Sequence, residues 1–244
     1  MKILSLIFPY YKNPNMLEYQ LRIWTSYPLF VRTEVEIIIV DDGSPVGFRA
    51  AEVLRRVPVP NNVQCARIVS DLPWNHCGAR NLGVHLSKSK WVMWVDMDHI
   101  VSFNLMLLMM GGICDINFSE EVIYSFGRIR HDTQEFNNPH KETRLMTRQM
   151  FDRTGWFDES FSGHYAFADR EYFERIEFGK FDQKVFPGGN LERVDSDLIF
   201  DAKTHGLPRT AQRDNAAYDQ IVDWKRTIGH RIEKLKLPWI IEQL

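Results

Sequence analysis

The chain is short of every pattern that marks a membrane span, a disulfide framework or a zinc module. Its three cysteines, Cys65, Cys77 and Cys114, are odd in number and show no CxxC spacing. A disulfide scaffold or zinc knuckle is therefore not expected, and a reducing, cytoplasmic setting is. Charge of one sign is lacking too: 30 Lys and Arg stand against 32 Asp and Glu, for a formal net charge of -2. That balance offers no global basic field to nucleic acid or an anionic membrane, although it leaves room for a local basic groove. The longest nearly uncharged apolar stretch, residues 100–116, is interrupted by Ser102, Asn104, Gly111, Gly112 and Asp115. It falls short of a membrane span. No basic leader followed by a cleavage site opens the sequence, and no internal repeat or low-complexity segment interrupts it.

What is present is apolar material for one core: 44% of 244 residues are hydrophobic, as in ordinary globular chains. Apolar runs at residues 3–8, 35–40, 63–69 and 91–95 read as buried strands. Between them, Leu17, Leu21 and Trp24 follow Pro14 at helical spacing, and residues 48–56 and 78–86 also read as helices. Strand and helix alternate over the first 100 residues, the sign of βαβ units and a mostly parallel sheet, so the fold class expected is α/β. The second half is less regular. Helices are expected over 103–110 and 169–178, a strand over 122–126, and a closing helix over 211–235 with Ile221, Trp224, Ile228 and Ile232 on one side. Residues 130–142 are polar and contain Asn137-Asn138-Pro139, which predicts a loop or mobile lid. No shift in composition marks a second domain.

Carboxylates gather where the apolar runs end. Ligands of open parallel sheets bind outside the carboxyl ends of the strands, so Asp41-Asp42 after the second run and Asp96-Met97-Asp98 after the fourth would face one crevice. Asp41-Asp42-Gly43-Ser44 reads equally as an Asx-capped turn. Two aspartates at i and i+2 of a strand point the same way, and their like charges cost free energy unless a cation or solvent compensates. Hard oxygen ligands with open positions suit Mg²⁺ or Mn²⁺, completed by a substrate diphosphate. Farther on, Asp169 stands at the start of a helix, where a carboxylate serves either as a general base or as a cap.

Taken together, these segments resemble the GT-A glycosyltransferases of family 2. The resemblance rests on Leu6-Ile7-Phe8-Pro9-Tyr10-Tyr11, Glu36-Ile37-Ile38-Ile39-Val40-Asp41-Asp42-Gly43-Ser44-Pro45 and Gly78-Ala79-Arg80-Asn81-Leu82-Gly83, then on Trp94-Val95-Asp96-Met97-Asp98 and Gly155-Trp156-Phe157-Asp158-Glu159-Ser160-Phe161. Each is weak alone; their order is specific. It implies one GT-A domain over residues 1–244, with a nucleotide-sugar-binding half (1–100), an acceptor and catalytic half (101–210) and a C-terminal helix (211–244). The donor implied is a nucleoside diphosphate sugar, a UDP-sugar first among them, with an acceptor glycan or other hydroxyl-bearing molecule. Pro9, Tyr11, Asp41 and Asp42 would form the nucleotide pocket, Arg80 would hold nucleotide or phosphate, and Asp96 would be shared between donor and metal. Asp98 and Asp96 would bind the Mn²⁺ or Mg²⁺ ion that neutralises the leaving diphosphate, with His205 as a further ligand. Asp169 would deprotonate the acceptor hydroxyl, giving inversion at the anomeric carbon, and Glu171 is the fallback base.

The family often has Glu before that Asp, whereas this chain has Ala168; the difference bears on acceptor contacts. Trp156 is the tryptophan expected to stack on a sugar, while Trp74, Trp91 and Trp94 are read as core. His99 is expected on the strand face opposite Asp98, and His76-Cys77 as loop. Two other functions share the fold: a catalytically inactive nucleotide-sugar-binding protein, and a sugar nucleotidyltransferase. The latter would need a glycine-rich basic loop where this chain has Pro9-Tyr10-Tyr11-Lys12. Arg128, Arg130, His131, Lys141, Arg144 and Arg148 group together in sequence, as a solvated loop or as a surface for an anionic acceptor, nucleic acid included.

Overall fold

The computed structural model describes residues 2–114, 118–194, 215–227, 229 and 231–244. Its centre is a set of parallel strands, β1 (Leu4–Tyr10), β2 (Val35–Asp41), β3 (Val63–Ile68) and β4 (Trp91–Trp94), side by side as β4-β1-β2-β3. All of β2 is buried, as a strand covered on both faces must be. Leu6, Phe8, Ile37 and Ile39 meet Leu17, Leu21 and Trp24 of α1 (Pro14–Ser26) in one layer. The alternate residues Ile7, Ile38 and Val40 enter a second layer with Ala79 and Leu82 of α4 (His76–Leu86). A Cβ on Gly83 would lie 2.2 Å from Ile7 Cγ2, so the close approach of α4 to β1 requires glycine there. Short helices α2 (Leu29–Glu34) and α3 (Ala50–Leu54) complete the first half.

After β5 (His99–Ile100) and α5 (Phe103–Cys114), the chain adds β6 (Val122–Arg130), β7 (Phe136–Thr147) and, beyond α6 (Arg148–Thr154) and α7 (Phe167–Phe178), β8 (Asp182–Arg193). β7 runs antiparallel to both β4 and β6, and β8 runs parallel to β6. Among the described residues nine strands form one mixed sheet in the order β5-β8-β6-β7-β4-β1-β2-β3-β9, with β4-β1-β2-β3 parallel and a further parallel pair at β6-β8.

Two expectations are corrected here. Residues 130–142 are the end of β6, a turn and the start of β7 rather than a loop. The Gln134 N–H donates to Arg130 O and the Arg130 N–H to Glu135 O, both at 2.9 Å, with Gln134 at φ 58°. The segment is polar in sequence, yet its backbone is paired with β6. The closing helix is also shorter than expected: α8 covers Asn215–Thr227 and buries Tyr218 and Lys225, while Trp224 stays 55% exposed. Gly229 at φ +61° lies beyond its end, and residues 239–241 return as β9 (Trp239–Ile241), antiparallel to β3. Ile228 lies outside the described residues. Among those described, no helix is long and apolar enough to cross a membrane.

Candidate active site

A cavity open to solvent lies at the carboxyl ends of β1 and β4, lined by Pro9, Tyr10, Tyr11, Asp42, Trp74, His76, Asp96, Met97 and Glu142. This is where an open parallel sheet binds a ligand. Pro9 and Tyr11 border it, and the Tyr11 hydroxyl donates to Asp71 Oδ1 at 3.1 Å. Trp74, read from sequence as core, is on the wall instead, with its ring 4.3 Å from Tyr165 and 5.0 Å from His76. Trp156 is the reverse case. It is buried against Phe151 at 5.2 Å and donates to Asp152 Oδ1 at 2.7 Å, so the stacking role expected of it has no surface to act through.

The two residues of the first acidic turn do different things. Asp41 points inward: its Oδ1 accepts from the Ser44 N–H and its Oδ2 from the Ala50 N–H, each at 2.8 Å. It is the Asx cap of the turn and of α3, and it does not border the cavity, which corrects its place in the nucleotide pocket. Asp42 does border it. Asn75 donates to Asp42 through its backbone N–H (3.1 Å) and its Nδ2 (3.0 Å). Burial pushes the Asp42 carboxyl up to about 8, against the lowering effect of those hydrogen bonds. Gly43 at φ +77° makes the turn, and a Cβ there would lie 2.6 Å from Ser70 O.

The second acidic turn is held by side-chain cations and an imidazole. β4 ends at Trp94, so Asp96 and Asp98 are brought together by a turn and not by strand alternation. Asp96 Oδ1 accepts from Arg80 Nη2 at 3.2 Å, and Asp98 Oδ2 lies 3.6 Å from Arg193 Nε. The His99 N–H donates to Asp96 O at 3.0 Å, which folds the chain back and sets His99 Nδ1 2.7 Å from Asp98 Oδ1. His99 is therefore beside Asp98, contrary to its expected place on the other face. Asp96, Asp98 and His99 each offer one ligand atom within 4.8 Å of the others, and among the described residues no other such group of His, Cys, Asp and Glu occurs. His205, the further metal ligand expected, lies outside the described residues.

Arg80 joins this turn to Asp169 on α7. Arg80 is fully buried in α4; Nη1 donates to Asp169 Oδ1 at 2.5 Å while Nη2 reaches Asp96. Burial works against its charge, but the Asp169 and Asp96 carboxylates more than offset this and raise its pKa. Its expected role as a direct phosphate contact is corrected: with no exposed surface, it is a bridge between two carboxylates. Asp169 lies in the first turn of α7, behind Ala166 at φ 62°, and its Oδ2 is buried with no hydrogen-bond donor. Ala168 is buried in the apolar layer under the helix, where a carboxylate would have no place.

Glu142, at the cavity wall on β7, is a residue that sequence reasoning missed by assigning it to a loop. Its carbonyl accepts from Trp94 Nε1 at 2.5 Å. Burial, with the charges of Asp169 and Asp96, pushes its carboxyl up to about 8. The alternation Thr143, Leu145, Thr147 was the available signal of a strand leading back to it. Glu171, the fallback base, is corrected: it turns away and pairs with Arg175 through Nε (2.9 Å) and Nη2 (2.7 Å). The remaining acidic residues, Asp158 and Glu159, are scaffold. Glu159 accepts from Asn81 Nδ2 and from the Leu235 and Lys236 N–H groups, all at 2.8 Å, and Asp158 pairs with Lys225.

The glycosyl transferase family 2 model matches residues 5–177, well over half of the chain. The minor teichoic acid biosynthesis protein GgaA of Bacillus subtilis (strain 168) is 25% identical over 148 residues, which are 58% of this chain and 32% of GgaA. The chain thus spans about a third of the length of that relative. Among solved structures, S. aureus TarS 1-349 in complex with UDP-GlcNAc aligns with a TM-score of 0.61 at 13% identity, over 81% of this chain and 59% of that one. TarS 1-349 alone gives 0.60 at 15% identity, over 94% and 74%. These likenesses carry the fold, and the α/β GT-A architecture expected from the sequence is the one observed. With its cavity at the strand ends and the family match across both acidic turns and the first helical turns of α7, the chain belongs to glycosyl transferase family 2.

Proposed function

We propose that this chain transfers a glycosyl group from a nucleoside diphosphate sugar, a UDP-sugar in the first instance, to an acceptor hydroxyl with inversion. The observation that carries this reading is that Asp42 and Asp96 line one cavity, and that Arg80, donating to both Asp96 and Asp169, ties the buried Asp169 to that cavity's wall. The solved complexes of TarS with UDP-GlcNAc and with UDP support a uridine nucleotide as the donor's leaving part. The name of GgaA supports a task in teichoic acid biosynthesis.

Asp169 serves as the base. Arg80 holds Oδ1 and fixes the carboxylate, leaving Oδ2 to accept the acceptor's hydroxyl proton. Asp42, with Asn75 beside it, offers hydrogen-bond partners to the nucleoside, and Tyr11 and Trp74 provide flat apolar walls. Burial and the charges of Asp169 and Asp96 raise the Glu142 pKa and so disfavour its ionised, nucleophilic form, which favours direct displacement over a covalent intermediate. Asp96, Asp98 and His99 suit a Mn²⁺ or Mg²⁺ ion, being two hard carboxylates and an imidazole gathered within reach of one centre. When bound, such an ion supplies positive charge against the leaving diphosphate.

The test is turnover of a panel of UDP-sugars with Mn²⁺, in wild type and in Asp98→Ala. Release of UDP by the wild type and its loss in the variant are expected. Equal, robust turnover in both removes the metal role, and release of pyrophosphate in place of UDP replaces transfer by nucleotidyl transfer.

A further inference from the structure

Among the described side chains, the basic residues grouped from β6 to α6 have partners in all cases but one; the Lys141 side chain lies outside those described. Arg130 pairs with Asp132 at 3.1 Å, His131 lies between Tyr19 (3.1 Å) and Glu192 (2.8 Å), and Arg144 stacks over Phe173 at 5.1 Å. Arg148 donates to Ser87 O at 2.5 Å. Arg128 differs. It is half-buried, its Nε is out of contact with solvent, and among the described residues its guanidinium makes no hydrogen bond or ion pair. Its pKa is lowered, first by burial and then by the charge of Arg193.

The sheet explains why the two arginines share a place. β6 and β8 run parallel with Arg128 paired to Leu191, and Arg193 is two residues beyond Leu191 on the same face. Leu191 lies in the core layer with Phe126, so Arg128 and Arg193 continue that face outward from the core toward the carboxylates. Arg193 reaches Asp98 Oδ2 at 3.6 Å. A half-buried guanidinium without an acceptor, next to a second arginine, is short of an anion with several oxygens.

We propose that Arg128, with Arg193 beside it, binds a phosphoryl group at the rim of the carboxylate cluster. Two sources share that chemistry: the diphosphate of the donor, and a phosphate ester on the acceptor next to its reacting hydroxyl. A carboxylate cluster alone would repel either anion, and the arginine pair offsets that repulsion on the β6–β8 side. The choice between donor and acceptor rests on the transferase reading; the phosphate site itself does not.

Calorimetric titrations of wild type, Arg128→Gln and Arg128→Lys with uridine, UDP and glycerol 3-phosphate test it, with Arg193 left in place because it also pairs with Asp98. Uridine affinity is expected to be the same in all three proteins. One phosphate probe should bind about tenfold or more weakly to Arg128→Gln, with partial recovery in Arg128→Lys. Loss confined to UDP assigns the donor diphosphate, and loss confined to glycerol 3-phosphate assigns an acceptor phosphate. Unchanged affinity for both probes, or no binding of either to the wild type, overturns the proposal. An equal loss of uridine overturns it as well, because Arg128 would then shape the pocket instead of holding phosphate. Uridine binding in the wild type reports separately on the nucleoside end, so failure of the donor reading is visible as its absence.

Discussion

Asp41-Asp42 and Asp96-Met97-Asp98 both follow a buried strand of the same parallel sheet, and both bring two carboxylates to its carboxyl edge. They differ in what holds them. Three of the four oxygens in the first turn accept from backbone amides that belong to the fold: Asp41 from Ser44 and Ala50, and Asp42 from Asn75. The second turn is held by Arg80, Arg193 and His99, which are side chains able to shift or exchange partners. Asp96 and Asp98 are also half-buried, whereas Asp41 and Asp42 are buried. An acidic turn closed by amides is architecture at its first residue and a rigid wall at its second. One closed by cations is available to a ligand.

Asp169 extends the second kind of turn, because Arg80 joins it to Asp96. Replacing it by Asn keeps the shape and removes the base. Asp169→Asn is therefore expected to lower kcat by about 10²–10⁴ while leaving UDP affinity unchanged in calorimetry. A matching loss of UDP affinity would mean that Asp169 shapes the cavity and does no acid–base work.

The comparison is sharpened by stability. Asp41→Ala leaves the buried Ser44 and Ala50 amides without an acceptor, at a cost of about 2–5 kcal/mol. Asp98→Asn relieves a like-charge neighbour and should change stability by no more than about 1 kcal/mol. Denaturant unfolding of both variants decides this, and similar losses in the two would erase the distinction between the turns.

A smaller effect follows from Asp42. Its folded pKa of about 8 lies well above that of an unfolded aspartate, so between about pH 4 and pH 8 the folded state binds the extra proton. This contribution is favourable at low pH and is lost as pH rises through that window. Asp42→Asn should flatten the decline in unfolding free energy between pH 5 and pH 8.5, and an unchanged slope would contradict the burial argument.

Much of this was legible in the sequence because the central strands are buried on both faces. Such strands read as unbroken apolar runs, and residues 35–40 could be little else. The acidic residues at their ends could be located, but their roles could not be separated. Which oxygen meets an amide and which meets a cation depends on Asn75, Arg80 and Arg193, residues distant in sequence. Strand periodicity was carried too far at residues 96–99, where a turn replaces the pleat and brings His99 back to Asp98. It was not carried far enough at residues 136–142, where a mostly polar stretch pairs with β6 as a strand, and Glu142 was lost with it. β9 was missed for a related reason. It is an edge strand of three residues, and Ile240 and Ile241 are 41% and 46% exposed.

The central claim is that the second turn, and not the first, holds the cation that accompanies the donor. It is tested most directly by the affinity of UDP with and without Mn²⁺ in wild type and Asp98→Asn. The account predicts that Mn²⁺ tightens UDP binding to the wild type and that this increment disappears in Asp98→Asn, with metal-free affinity preserved. An equal Mn²⁺ increment in both proteins would contradict it.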